Sequence, residues 1–316
     1  MRVVKEKTED NNADDSKIET DRFNSNCASV KIGEFTFILP GNSLVRKNGK
    51  ITITRLEKKP AVATKTFDSI MYGAIKRCGN FDGIMVSGGI DSSVIAAIGL
   101  KINKTCDLIV GGFKESEDIK YAGVLGTDLK SKISKVILDD DEVEKIVKIL
   151  KELDLDTYSI IIGITEYAVM RYAKERGYKK VLSGLGSDEL FFGFKKHRGV
   201  PRDRLRSFRE ERLNYLGVFD LLRLRKMSKS LGVGIGFPYL DEEVVEYAIY
   251  SNVGAESNDI YDKRLLRDLG KSLGLSELLS ERKKKAMQYG GGVTKSLERL
   301  SKKHRIKNVG EFIKNI

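Results

Sequence analysis

The segment Phe81-Asp82-Gly83-Ile84-Met85-Val86-Ser87-Gly88-Gly89-Ile90-Asp91-Ser92-Ser93-Val94 constrains this chain more than any other. A short apolar run enters Ser-Gly-Gly and leaves through Asp-Ser-Ser into a helix-forming stretch. Glycines let the backbone turn tightly and come close to an anion without a Cβ clash. The free N–H groups and the dipole at a helix start favour negative charge there. Ser87, Ser92 and Ser93 add hydroxyl groups. The spacing G-x-x-x-x-G-K-[ST] is absent, which excludes an ordinary kinase or GTPase loop. On these residues alone, a plain turn followed by an N-cap is the alternative.

The loop sits in an alternation of apolar strands and helices. Ile84-Met85-Val86, Leu108-Ile109-Val110, Val136-Ile137-Leu138 and Lys180-Val181-Leu182 read as strands. Helices are expected near 94–100, 117–129, 141–152 and 160–176. Such alternation implies an α/β fold, a doubly wound parallel sheet wrapped by helices. Beyond residue 188 the pattern shows no clear strand, only helices around 204–230, 241–249, 261–273 and 293–303. Ahead of the loop, 66–78 reads as a helix. Residues 29–60 read as a short β-meander punctuated by Pro40-Gly41-Asn42 and Lys47-Asn48-Gly49. Residues 1–28 are polar and poor in large apolar side chains, the composition of a disordered tail. The expected organisation is a tail over 1–28, the meander over 29–60 and one domain over 61–316.

Composition narrows the function. Of 316 residues 41% are hydrophobic and 32% charged, as in a soluble globular protein. No apolar run reaches the roughly 18 residues that a membrane span needs. The start, Met1-Arg2-Val3-Val4-Lys5-Glu6, is not that of a signal peptide, so a cytoplasmic protein is expected. Cys27, Cys78 and Cys106 form no C-x-x-C pair, and the only histidines are His197 and His304. A disulfide framework and a Cys- or His-rich metal centre are therefore excluded. The net charge of +12 is concentrated in 195–229 and 281–307, each at +8. Such segments bind nucleic acid, hold the phosphates of a small ligand, or form a solvated basic face.

Ser87-Gly88-Gly89-Ile90-Asp91-Ser92 after a strand resembles the pyrophosphate loop of the N-type ATP pyrophosphatases, which have the adenine-nucleotide alpha-hydrolase-like fold. A second block, Ser183-Gly184-Leu185-Gly186-Ser187-Asp188-Glu189-Leu190-Phe191-Phe192-Gly193, resembles the SGxGxDExFxG block of the asparagine synthetase synthase domain. Val110-Gly111 with Ser116-Glu117-Asp118, then Gly236-Phe237-Pro238-Tyr239-Leu240-Asp241, Lys263-Arg264-Leu265-Leu266-Arg267 and Arg282-Lys283-Lys284 resemble further family blocks in the expected order. Leu39 to Thr52 resembles the closing hairpin of the family's glutaminase domain, so 29–60 reads as a remnant of that domain's end. Arg2 stands where the nucleophilic cysteine would follow the initiator methionine, and glutamine hydrolysis by that route is not expected.

The resemblance implies an ATP- and Mg²⁺-dependent ligase that adenylates a carboxylate, releases pyrophosphate and transfers ammonia or an amine. Asp91 and Asp188 would hold the metal, and hard carboxylate oxygens suit Mg²⁺. Ser87, Gly88, Gly89 and Ser92 would cradle pyrophosphate, while Met85, Val110, Ser183 and Gly184 would line adenine and ribose. Lys284 would face the reacting centre, where a cation stabilises developing negative charge. A separate glutaminase subunit is a possible partner by the same resemblance. Three departures stand out. Leu185 replaces the family glutamate, Ile161 falls where an arginine helps hold aspartate, and Gly234 and Gly236 replace a Glu and an Arg. They point to a carboxylate other than aspartate, unless Arg171 or Lys284 supplies the missing cation. A tRNA-modifying pyrophosphatase is the alternative, since tRNA enzymes share the loop and the chain is basic. A third reading is a non-catalytic partner protein that kept the nucleotide fold.

Overall fold

A computed structural model of the chain describes residues 3–5, 29–32, 35–38, 42–47, 50–55, 65–193, 200–250, 263–282 and 290–316. Val3–Lys5 (β1), Ser29–Ile32 (β2) and Phe35–Ile38 (β3) pair antiparallel in the order β1-β3-β2. Asn42–Lys47 (β4) and Lys50–Arg55 (β5) form a separate hairpin, with Lys47 opposite Lys50. The strands of the expected meander are thus present in two small sheets. Val3–Lys5, inside the segment expected as a tail, pairs instead with β3, Val3 opposite Phe37. Two adjacent valines give this stretch the β-propensity that its polar surroundings hide. Residues 6–28 lie outside the described residues.

The main sheet comprises Gly83–Met85 (β6), Asp107–Gly112 (β7), Ile133–Ile137 (β8), Lys180–Leu182 (β9) and Gly234–Gly236 (β10). All pairs are parallel, in the order β10-β9-β6-β7-β8. Strand side chains alternate between faces. Leu108 and Val110 enter one core and Ile109 the other, and the neighbours Val181 and Leu182 divide in the same way. Phe67–Arg77 (α1), Ile90–Ile102 (α2) and Glu117–Asp128 (α3) cover the first face. Asp140–Glu152 (α4) and Thr157–Glu175 (α5) cover the second. On α4, Val143, Ile146, Val147 and Leu150 recur at helical spacing and are fully buried. Each such side chain contributes about 1.5–3 kcal/mol to holding the helix on the sheet.

The connections run β6-α2-β7-α3-β8 outward on one side. The chain then returns through α4 and α5 to β9 on the other side of β6. The sheet therefore has its topological switch point between the ends of β6 and β9, where open α/β sheets bind ligands.

Later elements complete both layers: Ser187–Leu190 (α6), Leu205–Val218 (α7), Asp220–Leu231 (α8), Glu242–Tyr250 (α9), Arg264–Ser272 (α10), Glu277–Ser280 (α11), Val293–Lys303 (α12) and Val309–Asn315 (α13). Two expectations need correction. A strand, β10, does follow residue 188. The stretch 204–230 is not one helix but α7 and α8, broken at Phe219 where the backbone turns to φ −100° and ψ −62°. Among the described residues no helix is long and apolar enough to cross a membrane.

Candidate active site

The first loop is built by its glycines. Gly88 has φ +62°, and a Cβ there would lie 2.5 Å from the Tyr121 backbone carbon on α3. Gly89 stands at the N-cap of α2 and has no side chain with which to cap its first N–H groups. Ser92 braces the loop from within: its hydroxyl accepts from the Ser87 N–H at 3.2 Å and donates to the Gly89 carbonyl at 3.2 Å. The Ser87 and Ser92 hydroxyls lie 3.3 Å apart. A tightly turned backbone, a helix N-terminus with glycine at its cap and adjacent hydroxyls are the features an anion cradle needs.

The second loop, 183–188, meets the first. The Ser183 N–H donates to the Gly236 carbonyl at 2.9 Å, tying the loop to β10. A Cβ on Gly184 would lie 3.4 Å from both the Asp91 Cβ and the Ser92 nitrogen, so the two loops are in close contact. Tyr239 lies in a 3-10 turn, Pro238–Leu240, and donates to the Asp91 carbonyl at 2.9 Å. Its hydroxyl is pushed well above the ordinary tyrosine range by burial and by the Asp91 and Asp188 charges.

Asp91 and Asp188 come together on one cation. The Lys263 ammonium lies 2.6 Å from Asp91 Oδ2 and 2.7 Å from Asp188 Oδ1. Burial alone would lower this lysine's pKa, but the Asp188 and Asp91 carboxylates outweigh it and hold the ammonium above the ordinary range. Lys263 precedes α10 in the left-handed region, φ +61°, and its N–H donates to the Phe191 carbonyl at 3.1 Å. The sequence places Lys263 in a block but assigns it no role. Lysine ahead of a helix is unremarkable in one dimension, and 172 residues separate it from Asp91.

Arg282 is the other residue without an assigned role. Its Nη1 donates to the Ser87 carbonyl at 2.8 Å, its Nη2 to Asp118 Oδ1 at 3.1 Å, and its guanidinium stacks 3.9 Å from the Tyr121 ring centre. Gly290 closes on the same carboxylate, since a Cβ there would fall 2.7 Å from Asp118 Oδ1. Lys284 lies outside the described residues.

Met85 and Val110 lie on neighbouring strands of the same sheet, and the Val110 side chain is fully buried in the core. Leu185 packs against the second-face core. Arg171, a candidate cation for the acceptor pocket, is engaged elsewhere: it pairs with Glu142 on α4 and with Glu175.

The donor set fits a hard divalent cation such as Mg²⁺. Asp91 Oδ1 is buried and has no hydrogen-bond partner among the described residues, and two carboxylates meet beside the loop. Among the described residues no group of three or more His, Cys, Asp or Glu gathers as a metal centre. Two carboxylates completed by phosphate oxygens and water is the pattern Mg²⁺ prefers.

A family model described as asparagine synthase matches residues 82–209 and 199–308, a span that includes both loops, Lys263 and Arg282. The chain belongs to the asparagine synthase family. It is 30% identical to a candidate glutamine-hydrolyzing asparagine synthetase of Methanocaldococcus jannaschii over 96% of this chain and 64% of that relative. It is 30% identical to the glutamine-hydrolyzing asparagine synthetase of Gallus gallus over 55% of this chain and 32% of that protein. With glutamine-hydrolyzing asparagine synthetase 3 of Arabidopsis thaliana it shares 30% identity over 60% of this chain and 35% of that protein. The chain thus spans less than two thirds of the length of each of these relatives.

Proposed function

We propose that the chain is the synthase part of an ATP-dependent carbon–nitrogen ligase that activates a carboxylate as its adenylate. The meeting of loops 87–93 and 183–188 at the switch point, with Asp91 and Asp188 turned onto one cation, carries this reading. A substrate carboxylate oxygen attacks the α-phosphorus of ATP, the bond to the bridging oxygen breaks, and pyrophosphate leaves. Ammonia or an amine then attacks the acyl carbon, AMP departs, and the surplus amine proton passes to solvent, because Leu185 cannot accept it.

In this reading Ser87, Gly88, Gly89 and Ser92 hold the pyrophosphate, through backbone N–H groups and hydroxyls. Met85, Val110, Ser183 and Gly184 line the adenosine, largely through the backbone. Asp91 and Asp188 would hold Mg²⁺, which supplies charge neutralisation to the polyphosphate. Lys284 adds positive charge where the leaving group forms. The nitrogen donor we infer is ammonia or an amine, free or delivered by a separate glutaminase subunit. A tRNA substrate is not retained, because the family match spans both loops and the relatives named above are all described as asparagine synthetases.

The test is product identity. The purified chain, given ATP, Mg²⁺, ammonium and a panel of carboxylic acids, should form AMP and pyrophosphate only with its own acid. Asp91→Asn and Asp188→Asn should each abolish this. ADP and phosphate as products would overturn the reading, and silence across the panel would favour the non-catalytic alternative.

A further inference from the structure

The Asp91–Lys263–Asp188 bridge is sheltered on two of its three members. The Lys263 side chain is 10% exposed and that of Asp91 14%, while Asp188, at 39%, opens to solvent. Two distant stretches of backbone meet beside it: Phe192 (φ +54°) and Lys263 (φ +61°) both adopt the left-handed conformation, and the Lys263 N–H donates to the Phe191 carbonyl at 3.1 Å. Gly193 is the floor beneath the bridge. A Cβ there would lie 1.8 Å from Asp188 Oδ1 and 2.3 Å from Lys263 Cε, so any side chain at 193 would displace both. Three residues from three distant stretches are shaped around one ammonium.

We infer that Lys263 is the resident cation of the Asp91–Asp188 pair, and that it keeps a divalent ion out until a nucleotide polyphosphate arrives to take the ammonium. The argument is one of charge. Two carboxylates alone present −2 and would hold a hard dication by themselves. With Lys263 between them they present −1, and an incoming dication meets a positive charge already within hydrogen-bond distance of both ligand atoms. A polyphosphate changes the balance, because it offers the ammonium several anionic oxygens within reach of a four-carbon stem whose backbone need not move. Asp91 and Asp188 are then released to the metal that enters with the polyphosphate. Loading is therefore ordered: metal alone binds weakly, and metal with nucleotide binds well. This inference rests on the proposed ligase reading in taking the two aspartates as cation ligands and a nucleotide as the source of the polyphosphate.

The experiment uses Mn²⁺ alone, followed by electron paramagnetic resonance of the free ion, with the whole chain and no nucleotide. Lys263→Met should bind Mn²⁺ at least tenfold more tightly than the parent, and the gain should vanish in Lys263→Met/Asp91→Asn. A merely structural lysine would give the opposite, since losing its bridge lets the two carboxylates drift apart and lowers affinity. Lys271→Met, which removes an exposed lysine paired with Glu281, controls for overall charge and should leave Mn²⁺ affinity unchanged. If Lys263→Met does not fold, Lys263→Gln is measured in its place and the same gain is expected. Unchanged or weaker Mn²⁺ binding in the folded variant overturns the inference. AMP and pyrophosphate formation is read in a separate assay, so failure of the ligase reading and failure of this one are seen apart.

Discussion

The Arg282 guanidinium donates to the Ser87 carbonyl at 2.8 Å across 195 residues of sequence. One contact thus fastens the C-terminal part of the chain to the loop that ends β6. Arg267 reinforces it from α10, donating to the carbonyls of Ser280 and Arg282. The arginine's buried pair with Asp118 and its stacking on Tyr121 draw α3 into the same unit.

Replacing Arg282 should therefore loosen the anion cradle as well as the fold. Removing one partner of a buried pair costs about 3–5 kcal/mol. Arg282→Ala should lower the unfolding free energy by an amount of that order and speed hydrogen exchange at Gly88 to Ser93. Arg282→Lys, which keeps the charge but not the fork, should recover only part of both. Unchanged exchange in this loop would refute the coupling.

Gly88→Ala is expected to be worse than its size suggests. The residue would face a left-handed φ and a Cβ 2.5 Å from the Tyr121 backbone. The loop must shift or α3 must retreat, at a cost of about 1–3 kcal/mol for the backbone strain alone. Nucleotide affinity and thermal midpoint should fall together. A melt like that of the parent would show that the loop relaxes freely.

Much of this architecture was legible in the residues, and the exceptions have physical causes. Lys180–Leu182 forms the strand that its three residues announce, and Asp140–Glu152 the helix, because apolar periodicity there is uninterrupted. Gly234-Ile235-Gly236 hides its strand: one side chain between two glycines carries no alternation. Phe219 hides a helix break, since neither glycine nor proline marks it. Asp91 and Asp188 were readable from their loops, and the structure brings them together. Lys263 and Arg282 were not, because their contacts with Asp91 and Asp118 form only after the chain folds back over more than 160 residues.

Glu189 should make stability depend on pH. It is buried, and burial together with the neighbouring Asp188 charge pushes its carboxyl up to about 8 from an ordinary 4.5. Between these values the folded chain keeps a proton that the unfolded chain has released. Stability should therefore fall as pH rises from about 4.5 to about 8, by a few kcal/mol. Glu189→Gln should flatten this part of the profile in denaturant titrations. A parent profile as flat as the variant's would show that Glu189 ionises normally.

At acid pH a different region should give way. Arg299 and Ser296 on α12 hydrogen-bond Asp140, and these contacts hold its carboxyl below the ordinary range. Burial would raise Glu144, but hydrogen bonds from His304 and Lys148 outweigh it and lower it as well. Both contributions are complete above the ordinary carboxylate pKa and are lost as pH falls through the lowered values. The pairs are partly exposed, so each is worth up to about 1 kcal/mol and weakens with salt. Hydrogen exchange in α12 and α13 should rise below about pH 4, ahead of exchange in the central strands. Equal protection at pH 7 and pH 3 would contradict this.

The last prediction concerns the acceptor. Aspartate brings a second carboxylate, and burying it without a cation costs several kcal/mol even after relaxation. Ile161 stands where an arginine is expected, and it packs against the second-face core. Arg171 is committed to Glu142, and Arg223, the buried arginine that packs on α5, is held by Glu166 at 2.8 Å and Asp220 at 2.8 Å. Drawing Arg223 away would strip a fully buried glutamate of its counter-charge, so it is a poor clamp for a substrate. Aspartate should therefore drive pyrophosphate release at least tenfold less efficiently than an acid with one carboxylate and an apolar body. Incubation with ATP, Mg²⁺ and ammonium decides between them: rapid asparagine formation at millimolar aspartate would mean that the pocket recruits its cation from elsewhere, while leaving the ligase chemistry intact.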